Sequence, residues 1–211
     1  YHEPNTIPFP YDGPIVVTVH DLSFLTYPET HPRERVNFLQ SRILQALETA
    51  ASIVTVSQFI AREIEHYFGR SIAQKVTVIP NGVSSKFRPR DALETRISMN
   101  RYRLEHRRYF LCVGTLEPRK NLPMVIQAYR ELPQRLKQDY PLVFAGALGW
   151  GDIDLKNEIT RNQSEGIRYL GYVDHEDLAR LFSGATLLIY PSIYEGFGLP
   201  ALEAMASGVP V

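Results

Sequence analysis

"YFLCVGTLEPRKNLPMVIQAYRELPQRLKQDYPLVFAG" spans residues 109–146 and reads as strand, loop, helix, strand. The strands are expected over 109–114 and 141–146, with a helix over 122–137 between them. Both outer runs are short and apolar throughout, as strands buried on both faces are. A helix joining two such strands makes them parallel neighbours with a right-handed crossover. The same alternation continues with a helix over 153–164, strand 167–171, helix 175–183, strand 186–190 and helix 199–207. It also runs backwards from the quoted stretch. "PIVVTVH" (14–20) is a strand, and residues 33–51 place Val36, Leu39, Ile43, Leu44, Leu47 and Ala50 at the spacing of an amphipathic helix. "SIVTVS" (52–57) is a strand, followed by a helix "QFIAREIEHYFG" that Ser57 caps and Gly69 ends. "KVTVIPNGV" (75–83) is a strand running into a Pro-Asn-Gly turn. The pattern defines an α/β chain of doubly wound, Rossmann-like sheets.

The alternation breaks once. Residues 84–108 are polar and carry Arg96, Arg101, Arg103, Arg107 and Arg108, which reads as a linker with a solvated surface helix. The expected organisation is the C-terminal part of one Rossmann-like domain over 1–83, a linker over 84–106 and a second, incomplete Rossmann-like domain over 107–211. The opening strand has no βαβ unit before it, so a piece of a larger two-domain protein is expected, one that binds its ligand weakly and does no chemistry alone.

Composition sets outer limits. Hydrophobic residues make up 44% and charged residues 22% of 211, enough for a core. Lys and Arg total 23 and so do Asp and Glu, so no basic field marks a nucleic-acid partner. The single cysteine, Cys112, lies in an apolar strand and excludes an internal disulfide. No apolar run reaches the roughly 18 residues of a membrane span, and "YHEPNTIPFP" is no signal peptide. A soluble, cytoplasmic protein is expected.

The ending "SIYEGFGLPALEAMASGVPV" (192–211) carries Glu195 and Glu203 in a stretch with no Lys or Arg after Arg180. Gly196 and Gly198 allow close backbone approach, and Pro200 suits the first turn of a helix. A helix N-terminus binds anions, phosphate above all. Glu203, expected on the first turn, would repel phosphate, so both acids suit neutral hydroxyls instead. Hydroxyls accompanied by phosphate describe a nucleotide sugar. Ligands of open parallel sheets bind beyond the strand C-termini, where His20, Arg119 and Lys120 also fall. The glycines at 146, 149 and 151 are ordinary turn residues on this reading. Asp152 and Asp154 imitate a metal-binding pair but suit the start of the predicted helix, so no metal site is assigned.

"EGFGLPALE" resembles the E-x7-E motif of retaining glycosyltransferases of the GT-B fold, especially family 4 with its group 1 domain. "VTVHDLSF", "VIPNGV", "VGTLEPRKN", "GYV" before a helix and "EAMASGVPV" are similar to other segments of that family in the same order. The resemblance implies that Lys120 grips the donor diphosphate with Arg119 assisting, and that Glu203 binds the ribose hydroxyls. It implies that Glu195 and His20 face the donor sugar, that Gly196 and the Phe197 and Gly198 amides lie near sugar or phosphate, and that Tyr172 and Val173 border the base. His20, Lys120 and Glu195 carry the catalytic expectation. Many members have Gly-Arg where this chain has Gly114-Thr115, so a usual phosphate ligand is missing and Arg119 would stand in. The implied reaction moves a hexose such as mannose, with retention, from a nucleotide sugar to a glycan or lipid-linked acceptor. The departing phosphate takes the acceptor's proton, and no cofactor or metal is needed. The implied setting is bacterial envelope polysaccharide synthesis in the cytoplasm, with peripheral association at the membrane's inner face left open. The competing readings are a GT-B epimerase, a phosphorylase, or a non-catalytic sugar-nucleotide-binding protein.

Overall fold

The structure is a computed structural model and describes residues 1–150, 157, 159 and 165–211. It divides into two compact units: Tyr1–Gly82 with Tyr194–Phe197, and Val83–Ile193 with Gly198–Val211.

The first unit holds a four-stranded parallel sheet of β1 (His2–Glu3), β2 (Val16–Val19), β3 (Ser52–Thr55) and β4 (Val76–Val78), in that spatial order. Its helices are α1 (Ser23–Thr26), α2 (Arg33–Thr49), α3 (Gln58–Phe68) and α4 (Arg70–Ala73). Val17, Val19 and Ile53 pack with Ile43, Leu47, Ile60 and Ile64. The α2 stripe is narrower than its sequence suggests. Ile43 and Leu47 are buried, whereas Leu44, about 100° round the helix from Ile43, is 48% exposed. Ser57 Oγ accepts the Ile60 amide, capping α3, and Gly69 ends that helix with φ +82°. The short strand β1 carries no apolar run that would announce it; it exists because His2 and Glu3 align with Val16 and Val17.

The second unit contains α5 (Ala92–Tyr102), β5 (Phe110–Val113), α6 (Leu122–Arg130), α7 (Gln134–Asp139), β6 (Leu142–Ala145), β7 (Ile167–Tyr169), α8 (His175–Gly184), β8 (Leu187–Leu188) and α9 (Leu199–Ala206). The parallel order is β7-β6-β5-β8, with β5 and β6 joined through α6 and α7, and β7 and β8 joined through α8, as in a doubly wound sheet. Successive side chains leave opposite faces. Leu111 and Val143 join a core with Met99, Phe182 and Ala204, whereas Cys112 and Phe144 join another with Val125, Ile126 and Ile167. Both faces are therefore covered.

Two expectations need correction here. The helix read over 122–137 is two helices, because Pro133 has no N–H and disfavours helical backbone in the residue before it. Residues 84–106, read as a linker, lie within the second unit. Their helix α5 opens on an Asp91–Glu94 capping box and buries Thr95, Ser98 and Met99. Asp177 on α8 holds it there, accepting from Ser98 Oγ at 2.6 Å, Tyr102 OH at 3.1 Å and the Arg101 guanidinium. The surface helix read there is present, and what the arginines hid is its packed face. The helix read over 153–164, with Asp152 and Asp154, lies outside the described residues except at positions 157 and 159.

Candidate functional site

In the second unit, the C-terminal ends of β5 and β6 turn through Gly114 and Gly146. The Gly114 amide donates to Ala145 O at 3.0 Å, and the Gly146 amide donates to Gly171 O at 2.8 Å. A Cβ on Gly146 would lie 1.9 Å from Gly114 O, so that glycine is a packing requirement as well as a turn. Beyond β5, Pro118–Lys120 forms a single 3₁₀ turn, and Asn121 passes the chain into α6 with φ +53°. This turn aims Lys120 back over the strand end. Its Cε comes 3.4 Å from a Cβ position on Gly114, and its Nζ lies 5.6 Å from the Tyr190 ring centroid. The same Tyr190 ring passes 3.7 Å from a Cβ position on Gly198, the residue that starts α9 with φ +90°. Lys120 and the α9 N-terminus thus share one aromatic neighbour.

The α9 terminus is more selective than a generic helix start. Ala201 and Leu202 amides turn back to Gly198 O, and Pro200 has no N–H. The amides of Gly198 and Leu199 are the ones left to meet an anion. Glu203 falls on the second turn of α9, not the first, since the helix begins at Leu199. Its carboxyl is half-buried; desolvation pushes its pKa up, and the neighbouring His175 opposes that rise. Val173 is buried in the same core as Ala204, and Tyr172 beside it is 75% exposed.

Arg119 differs from its neighbour. Its guanidinium bonds Glu117 Oε1 at 2.5 Å, with side chains only 12% and 4% exposed, and its carbonyl accepts the Ile193 amide at 3.1 Å. It braces the turn that presents Lys120. Nothing in the alternation of strands and helices singles out Tyr190 or Glu117. The signal for each was only its position at the end of a strand or the start of the turn.

In the first unit, His20 follows β2 and is exposed, with Nε2 2.9 Å from Pro4 O. A carbonyl only accepts, so Nε2 carries the proton. Asp21 Oδ1 accepts from the Ser23 amide and hydroxyl, and Ser23 Oγ lies 2.8 Å from His31 Nε2. Tyr194–Phe197 belongs to this unit. Ser57 Oγ donates to Gly196 O at 2.6 Å, and a Cβ on Gly196 would lie 1.9 Å from His20 O. The structure therefore groups Glu195, Gly196 and Phe197 with His20 in one unit. Lys120, Tyr172, Val173, Gly198 and Glu203 stand in the other. Among the described residues, no group of three or more His, Cys, Asp or Glu is placed to hold a metal ion, and no helix is long and apolar enough to cross a membrane.

These sheets are those of the GT-B glycosyltransferases. HepE of Anabaena, solved with UDP and glucose, matches 94% of this chain and 52% of its own with TM-score 0.74 at 23% identity. WaaG, a glycosyltransferase involved in lipopolysaccharide biosynthesis, matches all of this chain and 58% of its own with TM-score 0.77 at 17% identity. The "Glycosyl transferases group 1" model matches residues 95–211 and the "Glycosyltransferase Family 4" model residues 5–87, and the chain belongs to that family. Among curated relatives, O-antigen chain mannosyltransferase B of Escherichia coli is 42% identical across the whole chain, which spans 55% of that relative's length. O-antigen chain mannosyltransferase RfbU of Salmonella typhimurium is 28% identical over 92% of the chain and 50% of its own length.

Proposed function

We propose that the protein carrying this chain is a retaining hexosyltransferase that uses a nucleotide-sugar donor, with mannose as the hexose and a glycan or lipid-linked acceptor of the bacterial envelope. The observation that carries it is the convergence of Lys120 and the Gly198 end of α9 on Tyr190, with Glu203 one turn further along the helix. A cation and a positive helix end beside each other suit a diphosphate. A carboxylate further along suits the ribose hydroxyls next to it, and Tyr172 and Val173 suit the base beyond. The two mannosyltransferase relatives support the choice of hexose and of pathway class.

Chemically, the donor's sugar–phosphate bond breaks as negative charge gathers on the leaving diphosphate. Lys120 and the helix dipole stabilise that charge more in the transition state than in the ground state, which lowers the barrier. Arg119 acts through position, since its charge already serves Glu117. His20 and Glu195 are assigned to the donor sugar, with Gly196, Phe197 and Gly198 forming the backbone around it. On this reading residues 1–83 come from the acceptor-side domain and 107–211 from the nucleotide-sugar domain, in the cytoplasm, without a metal cofactor. The test is acceptor-dependent release of nucleoside diphosphate from a sugar nucleotide, by a polypeptide of the relatives' full length carrying this sequence. Transfer with retained anomeric configuration is expected; nucleotide binding without acceptor-dependent release would make it a binding protein instead.

A further inference from the structure

Tyr194 is the one buried tyrosine in a core whose other buried members are aliphatic side chains and Phe24. It is 5% exposed, yet its hydroxyl is fully engaged. The Leu22 amide donates to it at 3.0 Å, and it donates in turn to the Glu63 carboxylate on α3. Its ring lies edge-on to Tyr27 at 5.7 Å and tilted to Phe59 at 5.5 Å. Two residues later, Gly196 is clamped by Ser57 Oγ and by the His20 carbonyl, which leaves no room for a side chain. Glu195 sits between these two anchors.

A buried ring alone gives affinity but little register, because dispersion contacts tolerate sliding. A hydroxyl bonded to a fixed amide and a carboxylate does not tolerate it, since any slip leaves buried polar groups unpaired. We propose that Tyr194 is a positioning residue. Its hydroxyl, held by the Leu22 amide and Glu63, sets the register of Tyr194–Phe197 and so fixes where Glu195 stands relative to His20. Tyr194 touches no reacting atom; it acts through Glu195. This rests on the glycosyltransferase reading above, which gives Glu195 its role.

The experiment compares the wild type with Tyr194→Phe and Glu63→Gln in the full-length protein, by steady-state transfer and by amide hydrogen exchange. Tyr194→Phe keeps the ring and removes the register bonds. It is expected to lower kcat by about tenfold or more, since small misplacements cost that much, with KM for the donor within about twofold. Exchange at Leu22 and across 194–197 should accelerate. Glu63→Gln keeps an acceptor for the Tyr194 hydroxyl and should retain most of the wild-type kcat. If Tyr194→Phe lowers the melting temperature but leaves kcat and the 194–197 exchange at wild-type values, Tyr194 is a core residue only and the proposal fails. Absence of transfer in the wild type would sink the functional reading instead, and the exchange data would still decide the register.

Discussion

Lys120 and Glu203 place opposite charges in one unit, and their surroundings tell them apart. Lys120 lies over the Tyr190 ring at the glycine-lined strand end, a setting that keeps an ammonium compact and directed. Removing it should weaken binding of a nucleoside diphosphate by about 1.5–3 kcal/mol, the range for a charged hydrogen bond, and leave nucleoside binding unchanged. Titration calorimetry of Lys120→Ala against both ligands checks this; equal loss for both would make Lys120 structural. Glu203 is half-buried with its carboxyl pKa raised by desolvation. A raised carboxyl favours the folded state while protonated and loses that advantage as pH rises, so at neutral pH the charge opposes folding. Glu203→Gln should therefore raise the melting temperature slightly while weakening nucleotide binding, a pairing that marks a residue kept for its ligand. A fall in melting temperature with unchanged affinity would contradict it. Lys120 and Glu203 stand out in the sequence as candidates because charges in an apolar, glycine-rich context demand a partner. Tyr190 and Tyr194 do not, because a tyrosine in or beside a strand reads as core. Arg119, which the resemblance assigns to the donor phosphate, is paired with Glu117, a contact no local pattern signals.

At the scale of elements, the α5–α8 contact combines the packing of Met99 and Phe182 in one core with a single buried carboxylate. Asp177 has a side chain 3% exposed. Desolvation pushes its pKa up, but bonds from Ser98 and Tyr102 and the Arg101 charge outweigh that and hold it below its ordinary 3.8. A depressed carboxyl stabilises the fold above the unfolded value and loses that contribution as pH falls through the folded one. Asp177→Asn should cost about 1–3 kcal/mol at pH 7, and the deficit should narrow as pH drops below 3.8. A pH-independent deficit in denaturant unfolding would show that shape, not charge, holds the pair. The Gly146 turn gives a second test. Gly146→Ala combines φ +153° with a Cβ 1.9 Å from Gly114 O, so a loss of about 2 kcal/mol or more is expected by the same measurement. Every strand but β1 was legible, because continuous apolar runs between turn residues leave few alternatives, whereas His2–Glu3 has no such run. Helix extent was less so. Pro133 splits a helix whose apolar spacing runs on, and the arginines of 84–108 mask the face of α5 that packs through Met99 and bonds Asp177.

On the scale of the whole molecule, the alternation of strands and helices set the class of fold, and the E-x7-E spacing carried the resemblance behind the proposed ligand. Neither revealed that Tyr194–Phe197 packs within the first unit although the residues on both sides of it belong to the second. That assignment follows from long-range hydrogen bonds of Tyr194 to Leu22 and Glu63 and of Ser57 to Gly196, which no local pattern encodes. Binding by mass action gives the most direct access to the central claim, that the second unit carries a nucleoside-diphosphate site built on Lys120, the Gly198 end of α9 and Glu203. The measurement is calorimetric titration of this chain with UDP, GDP, ADP and their sugars, repeated with Glu203→Ala. Saturable binding of one nucleotide over the others is expected, weakened about tenfold or more by the substitution. Binding of none of them, or binding that Glu203→Ala leaves untouched in a folded chain, would contradict it.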